Sequence, residues 1–141
     1  MRKQNALQRP VANMACRLLP DVCMHNTRSS ALVIDDCLEQ AECFARLLEA
    51  MGHRATFVIH PLDALDAAEG THPDIVFIDL DMPQIDGWAL ARMIRKRLGG
   101  IRLIAVSGLD PERAELFDGF LVKPIRLDAL RKLLAAEAET L

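Results

Sequence analysis

Tyrosine is absent from these 141 residues, and tryptophan occurs once. With five phenylalanines this leaves little surface for stacking nucleic-acid bases, and a net charge of −3 gives no case for general nucleic-acid binding. No apolar run approaches the roughly 20 residues of a membrane span. The first residues lack the apolar stretch of a secretory signal, so the expected compartment is the cytoplasm. The four cysteines, Cys16, Cys23, Cys37 and Cys43, contain no C-x-x-C pair, which argues against a structural zinc site or a redox motif. They are expected to be free and mostly buried thiols. Cys16, Cys23 and His25 carry only a weak metal-site signal.

What is present is a core. The chain is 51% hydrophobic and 26% charged, enough apolar material to fold and too little charge for a disordered tail. Its length suits one domain. Charge divides it. Residues 1–29 hold five basic residues and one acid, net +4, while the remainder holds 12 basic and 19 acidic residues, net −7. The expected organisation is therefore a basic N-terminal extension over 1–29, flexible or a short helix, and a domain over 30–138. Within the extension, Val11, Met14, Ala15, Leu18 and Leu19 form a helical stripe between Pro10 and Pro20. Such a helix could dock on its own domain or on a partner.

From Ala31 onward, apolar strands alternate with helical patterns. "ALVID", "ATFVI", "IVFID", "IRLIAVS" and "GFLV" read as strands. Cys37, Ala41, Phe44, Leu48 and Met51 lie on one helical stripe, and Gly52 follows where that helix should stop. A second short helix is expected from Pro61, with Leu62, Leu65 and Ala68 inward and Gly70 as its stop. Asp86 suits the N-cap of a third, carrying Leu90, Ile94 and Leu98. "PERAELF" allows a short fourth helix, and "LDALRKLLAAEA" a last one with Leu127, Leu130 and Leu134 inward. Strands apolar throughout, alternating with helices, predict a parallel sheet covered on both faces, a three-layer α/β domain.

In such a sheet ligands sit beyond the carboxyl ends of the strands. Here those ends are polar: Asp35-Asp36, Asp79, Ser107 and Lys123-Pro124. An Asp after a strand is ordinarily a turn or a cap. Four polar ends on one rim are more than turn chemistry accounts for. Converging carboxylates need a cation, and an all-oxygen set favours a hard divalent ion, Mg²⁺ first. Lys123 adds a compact positive charge and Ser107 a hydroxyl. Together these groups suit phosphoryl transfer, with a carboxylate as nucleophile. Asp79, alone at its strand end, is the candidate.

"VIDD", "FIDLDMPQIDG", "AVSG" and "LVKP", in this order, resemble the receiver domain of two-component response regulators, over about Ala31 to Ala136. The resemblance implies a (βα)5 flavodoxin-like doubly wound sheet of strand order 2-1-3-4-5. It implies that Asp79 is the phosphoacceptor for a histidine kinase or histidine phosphotransfer protein. By the same resemblance Asp35 and Asp36 hold Mg²⁺, with Asp79 and the backbone carbonyl of Asp81. Ser107 takes the hydroxyl switch position, Phe120 the aromatic switch position, and Lys123 the phosphate-binding position, joined to Pro124 by a cis peptide. The wording of "SG" and "GFLVKPI" is similar to receivers of hybrid kinases.

Three departures stand out. The Ser107–Lys123 interval is a handful of residues shorter than is usual in the family, which shortens the fourth helix. Asp81 places a second acid beside the nucleophile, and Leu109 an apolar residue two after Ser107. The four histidines, His25, His53, His60 and His72, are expected in loops or at the surface, and Trp88 in packing. No effector domain is expected after the last helix. The expectation is a stand-alone phosphoacceptor that switches or relays to a downstream protein, with no enzyme activity beyond Mg-dependent self-phosphorylation and autodephosphorylation. The alternative is a receiver-like module that binds its partner without phosphorylation. A phosphatase or mutase acting through an Asp lacks room for a substrate-capping insertion.

Overall fold

The computed structural model describes residues 29–108 and 115–139. Five strands form one parallel sheet: β1 (Ser30–Ile34), β2 (Arg54–Val58), β3 (Ile75–Asp79), β4 (Arg102–Ser107) and β5 (Gly119–Val122). Their order is β2-β1-β3-β4-β5, as the resemblance implies. The connecting helices are α1 (Leu38–Ala50), α2 (Ala64–Thr71), α3 (Gly87–Arg97) and α4 (Leu127–Glu139).

Side chains alternate across the pleat, so each strand feeds two cores. Val33, Phe77 and Val106 face α1 and α4, where Phe44, Leu48, Leu130 and Leu134 complete one cluster. Leu32, Ile34, Ile78 and Leu103 face α2 and α3, where Ala64, Ala68, Leu90 and Ile94 complete the other. Burial on both faces is why these strands are continuously apolar.

Helix boundaries follow local chemistry in three places and depart from it in two. Asp86 caps α3, its Oδ1 accepting the Trp88 backbone N–H at 2.9 Å. Gly52 takes φ 96° directly after α1, a conformation glycine adopts without steric cost. Leu130 and Leu134 are buried in α4, as their spacing predicts, while Leu127 is exposed. The second helical segment differs from expectation. Pro61–Asp63 is a 3-10 turn that leaves Leu62 84% exposed, and the inward face of α2 is Ala64, Ala67 and Ala68. Three small residues bring α2 close to the sheet, which a leucine stripe would not allow. Gly70 lies inside α2, and the stop is His72, at φ 46°. The short helix expected over 111–117 falls mostly outside the described residues. Its last part, Glu115 and Leu116, is a turn. The expected leader helix (Val11, Met14, Ala15, Leu18, Leu19), the weak Cys16/Cys23/His25 grouping and Leu109 also lie outside the described residues. Of the two described cysteines, both free, Cys43 is exposed and Cys37 half-buried, so the expectation of buried thiols does not hold for them.

Candidate functional site: an acidic rim with one lysine

Register brings the polar strand ends together. Ile34 pairs with Ile78, so Asp35, one residue on, is level with Asp79. Ser107 pairs with Val122, so Lys123 lies one step beyond. Backbone bonds continue past the strands and fix these residues: Asp35 N–H donates to Val58 at 3.1 Å, Leu80 N–H to Val106 at 2.9 Å, and Lys123 N–H to Ser107 at 2.8 Å. The Lys123-Pro124 peptide is cis, as the resemblance implies.

Asp35, Asp36 and Asp79 each bring a carboxylate oxygen within 4.8 Å of the other two. Asp35 and Asp79 are buried and Asp36 is exposed. Burial, with the neighbouring Asp79 charge, pushes the Asp35 carboxyl up to about 6, although the Cys37 backbone N–H, donating to Asp35 Oδ1 at 3.0 Å, pulls the other way. Lys123 reaches Asp79 Oδ1 at 3.0 Å. Partial burial works to lower the Lys123 ammonium, but the Asp79 hydrogen bond and charge outweigh it and hold its pKa above the ordinary value. Asp79 Oδ1 also accepts the Asp81 backbone N–H at 2.8 Å. One oxygen of Asp79 is thus held by a lysine and an amide, inside a cluster whose negative charge exceeds its local positive charge.

Three groups here were not singled out by sequence. Gln40, on the first turn of α1, meets Lys123 Nζ at 3.5 Å. The Gly108 and Cys37 backbone N–H groups bind the Asp81 and Asp35 carboxylates. Backbone donors leave no residue-type signal, and Gln40 meets Lys123 only because β1 and β5 share a rim. Ser107 is buried and its Oγ donates to Asp81 Oδ1 at 3.2 Å. Phe120 is half-buried, tilted against Phe117 at 5.9 Å between ring centroids. Trp88 packs edge-on against Phe117 at 5.0 Å, the structural role expected of it. His53 is half-buried in the loop before β2, with Ser29 Oγ 3.0 Å from its Nδ1, and burial lowers its pKa. His60 is exposed.

Residues 31–135 match the response regulator receiver domain family, and the chain belongs to that family. It is a signal-transduction domain of the two-component type. The receiver domain of a response regulator from Methylobacillus flagellatus superposes with a TM-score of 0.72 at 37% identity, over 78% of this chain and 98% of that one. The chain is 27% identical over 123 residues to the autoinducer 1 sensor kinase/phosphatase LuxN of Vibrio campbellii, covering 84% of this chain but only 14% of that kinase. It is 28% identical over 104 residues to the polar-differentiation response regulator DivK of Brucella ovis, covering 68% of this chain and 85% of that protein. No helix among the described residues is long and apolar enough to cross a membrane.

Proposed function

We propose that this protein is a phosphoacceptor switch in which Asp79 takes a phosphoryl group from a histidine kinase or a histidine phosphotransfer protein, in a reaction that needs Mg²⁺. The observation that carries this is the 3.0 Å contact of Lys123 Nζ with Asp79 Oδ1 inside a group of three carboxylates. The likeness to DivK over most of that protein's length supports a receiver that works as its own unit.

The donor set fits a hard cation. Three carboxylates converge with one lysine, and burial, with the neighbouring Asp79 charge, disfavours the ionised form of Asp35 that a cation would favour. Asp35, Asp36 and Asp79 would hold the ion with the Asp81 backbone carbonyl, and it would offset charge on the transferred phosphoryl oxygens. The chain's own residues do the rest. An Asp79 carboxylate oxygen attacks phosphorus of the phosphohistidine. The new P–O bond forms as the P–N bond breaks, and the electron pair leaves with the imidazole, which takes up a proton. Lys123 stands against the developing charge, and the Ser107 hydroxyl and Gly108 N–H are donors for phosphoryl oxygens. In dephosphorylation, water attacks phosphorus, the P–O bond to Asp79 breaks with its electron pair returning to the carboxylate, and inorganic phosphate leaves as the water gives up a proton to solvent. No other enzyme activity is assigned. An apolar cavity of about 580 Å³ opens beside the site, lined by Phe44, Leu47, Cys43 and Ile125 among others. It gives an incoming donor protein apolar surface next to Asp79.

The test is incubation with acetyl phosphate and Mg²⁺, followed by intact mass. The parent should gain one phosphoryl group, and Asp79→Asn none. Undiminished labelling of Asp79→Asn, mapped to another residue, would remove Asp79 from this role.

A further inference from the structure

The Asp81 carboxylate does not point idly into solvent, although it is about half exposed. Its Oδ1 accepts the Ser107 hydroxyl at 3.2 Å. Its Oδ2 accepts the Gly108 N–H at 2.9 Å and lies 3.6 Å from Lys123 Nζ. A hydroxyl, a backbone amide and an ammonium thus converge on one anion, beside the oxygen of Asp79 that shares the same lysine. Hydroxyl, amide and ammonium form the donor set that a phosphoryl group on Asp79 requires.

We infer that Asp81 is an internal stand-in for the phosphoryl group, occupying its donors while Asp79 is unmodified. This rests on the phosphoacceptor reading of Asp79 and adds a positioning and regulatory residue to it. Two consequences follow from the contacts. First, the phosphoryl group must displace a like-charged carboxylate from Ser107, Gly108 and Lys123 before it can be held, so uptake is opposed. Second, Ser107 and Gly108 are already drawn toward an anion in the unmodified protein, so the phosphorylated state changes them less than an empty cradle would be changed. The position of Asp81 follows from its backbone. Leu80 N–H is tied to Val106 and Asp81 N–H to Asp79 Oδ1, which leaves the Asp81 side chain facing the end of β4.

The test uses beryllofluoride, the stable phosphoryl mimic, at saturating Mg²⁺ so that altered metal affinity does not enter. Titration calorimetry on the parent, Asp81→Ala and Asp81→Asn should show affinity rising roughly tenfold in both variants, about 1.4 kcal/mol. Without beryllofluoride, the Gly108 amide resonance should shift in Asp81→Ala, then move back toward the parent position when the mimic is added. Asp81→Asn keeps the size and an acceptor oxygen, so a gain there isolates charge. Equal affinities in all three proteins, or a Gly108 amide indifferent to Asp81→Ala, overturns the inference and leaves Asp79 as acceptor untouched. Failure of all three to bind the mimic overturns the phosphoacceptor reading and this one with it.

Discussion

Gly87 shows how tightly single positions hold the rim. It opens α3, and a Cβ placed there would lie 2.8 Å from Leu80 Cδ2 and 3.2 Å from the carbonyl oxygen of Asp79. The leucine tip can move, but the Asp79 backbone is fixed by β3 pairing with β4. Gly87→Ala should therefore shift the Asp79–Asp81 turn and cost roughly 1–3 kcal/mol of stability, as overpacking does. Phosphoryl uptake from acetyl phosphate should slow as well. Denaturant unfolding and intact-mass time courses would read both, and an unchanged uptake rate in a destabilised variant would show that the turn absorbs the clash without moving Asp79. At this scale the sequence was informative about residue type and silent about direction. Asp35, Asp36, Asp79, Ser107 and Lys123 stood out because each ends a strand on the same side. The Asp81 side chain was legible as a second acid beside the nucleophile, but its partners were not, because its direction depends on the turn after β3 and on the register of β4.

Between elements, the stretch before β5 is anchored in two ways. Phe117 is buried between Trp88 of α3 and Phe120 of β5. Arg95 of α3 donates to the Leu116 carbonyl at 2.9 Å and pairs with Asp118 at 3.0 Å, while the same Asp118 oxygen accepts Leu103 N–H at 2.8 Å. These two anchors differ in kind. The Arg95 pair is more than a third exposed and worth at most about 1 kcal/mol after screening. Phe117→Ala opens a cavity and should cost about 3–5 kcal/mol. Arg95→Ala should thus leave global stability nearly unchanged while speeding amide exchange over residues 116–118, whereas Phe117→Ala should lower global stability and speed that exchange as well. Equal losses of stability in the two variants would contradict this division. The sequence fell short here for a physical reason. Helical spacing suggests that apolar residues share a stripe, but Phe117 is buried through contacts with one residue far earlier in the chain and another just after it. The same limit misplaced Leu62. The 3-10 turn at Pro61 rotates it outward, while Leu65 packs against the core and Ala68 lies within it.

For the whole molecule, the acidic rim predicts that stability depends on pH and metal together. The Asp35 carboxyl has an ordinary value of 3.8 and lies near 6 in the fold, because burial and then the Asp79 charge disfavour its ionised form. A raised carboxyl pKa means that the folded state binds the proton more tightly than the unfolded chain. Its contribution is fully present below about 3.8 and is lost as pH rises through about 6. At about 1.36 kcal/mol per pH unit, that interval corresponds to at most about 3 kcal/mol. Lys123, raised above its ordinary 10.5, contributes evenly throughout this range. His53, lowered by burial, acts in the opposite direction: its contribution is present above 6.5 and lost as pH falls. The parent curve therefore mixes two opposed slopes, and Asp35→Asn separates them. The introduced carboxamide would keep an oxygen for the Cys37 N–H but has no charge to bury. Without divalent ions, Asp35→Asn should match the parent near pH 4 and exceed it by up to about 3 kcal/mol at about pH 7.5. Added Mg²⁺ should stabilise the parent at that higher pH through its binding to the folded state, and stabilise Asp35→Asn far less. Urea unfolding at the two pH values, with and without Mg²⁺, gives all the differences needed. A variant no more stable than the parent at the higher pH without metal would show that the fold does not pay to ionise Asp35, and an equal gain from Mg²⁺ in both proteins would remove Asp35 from the metal site.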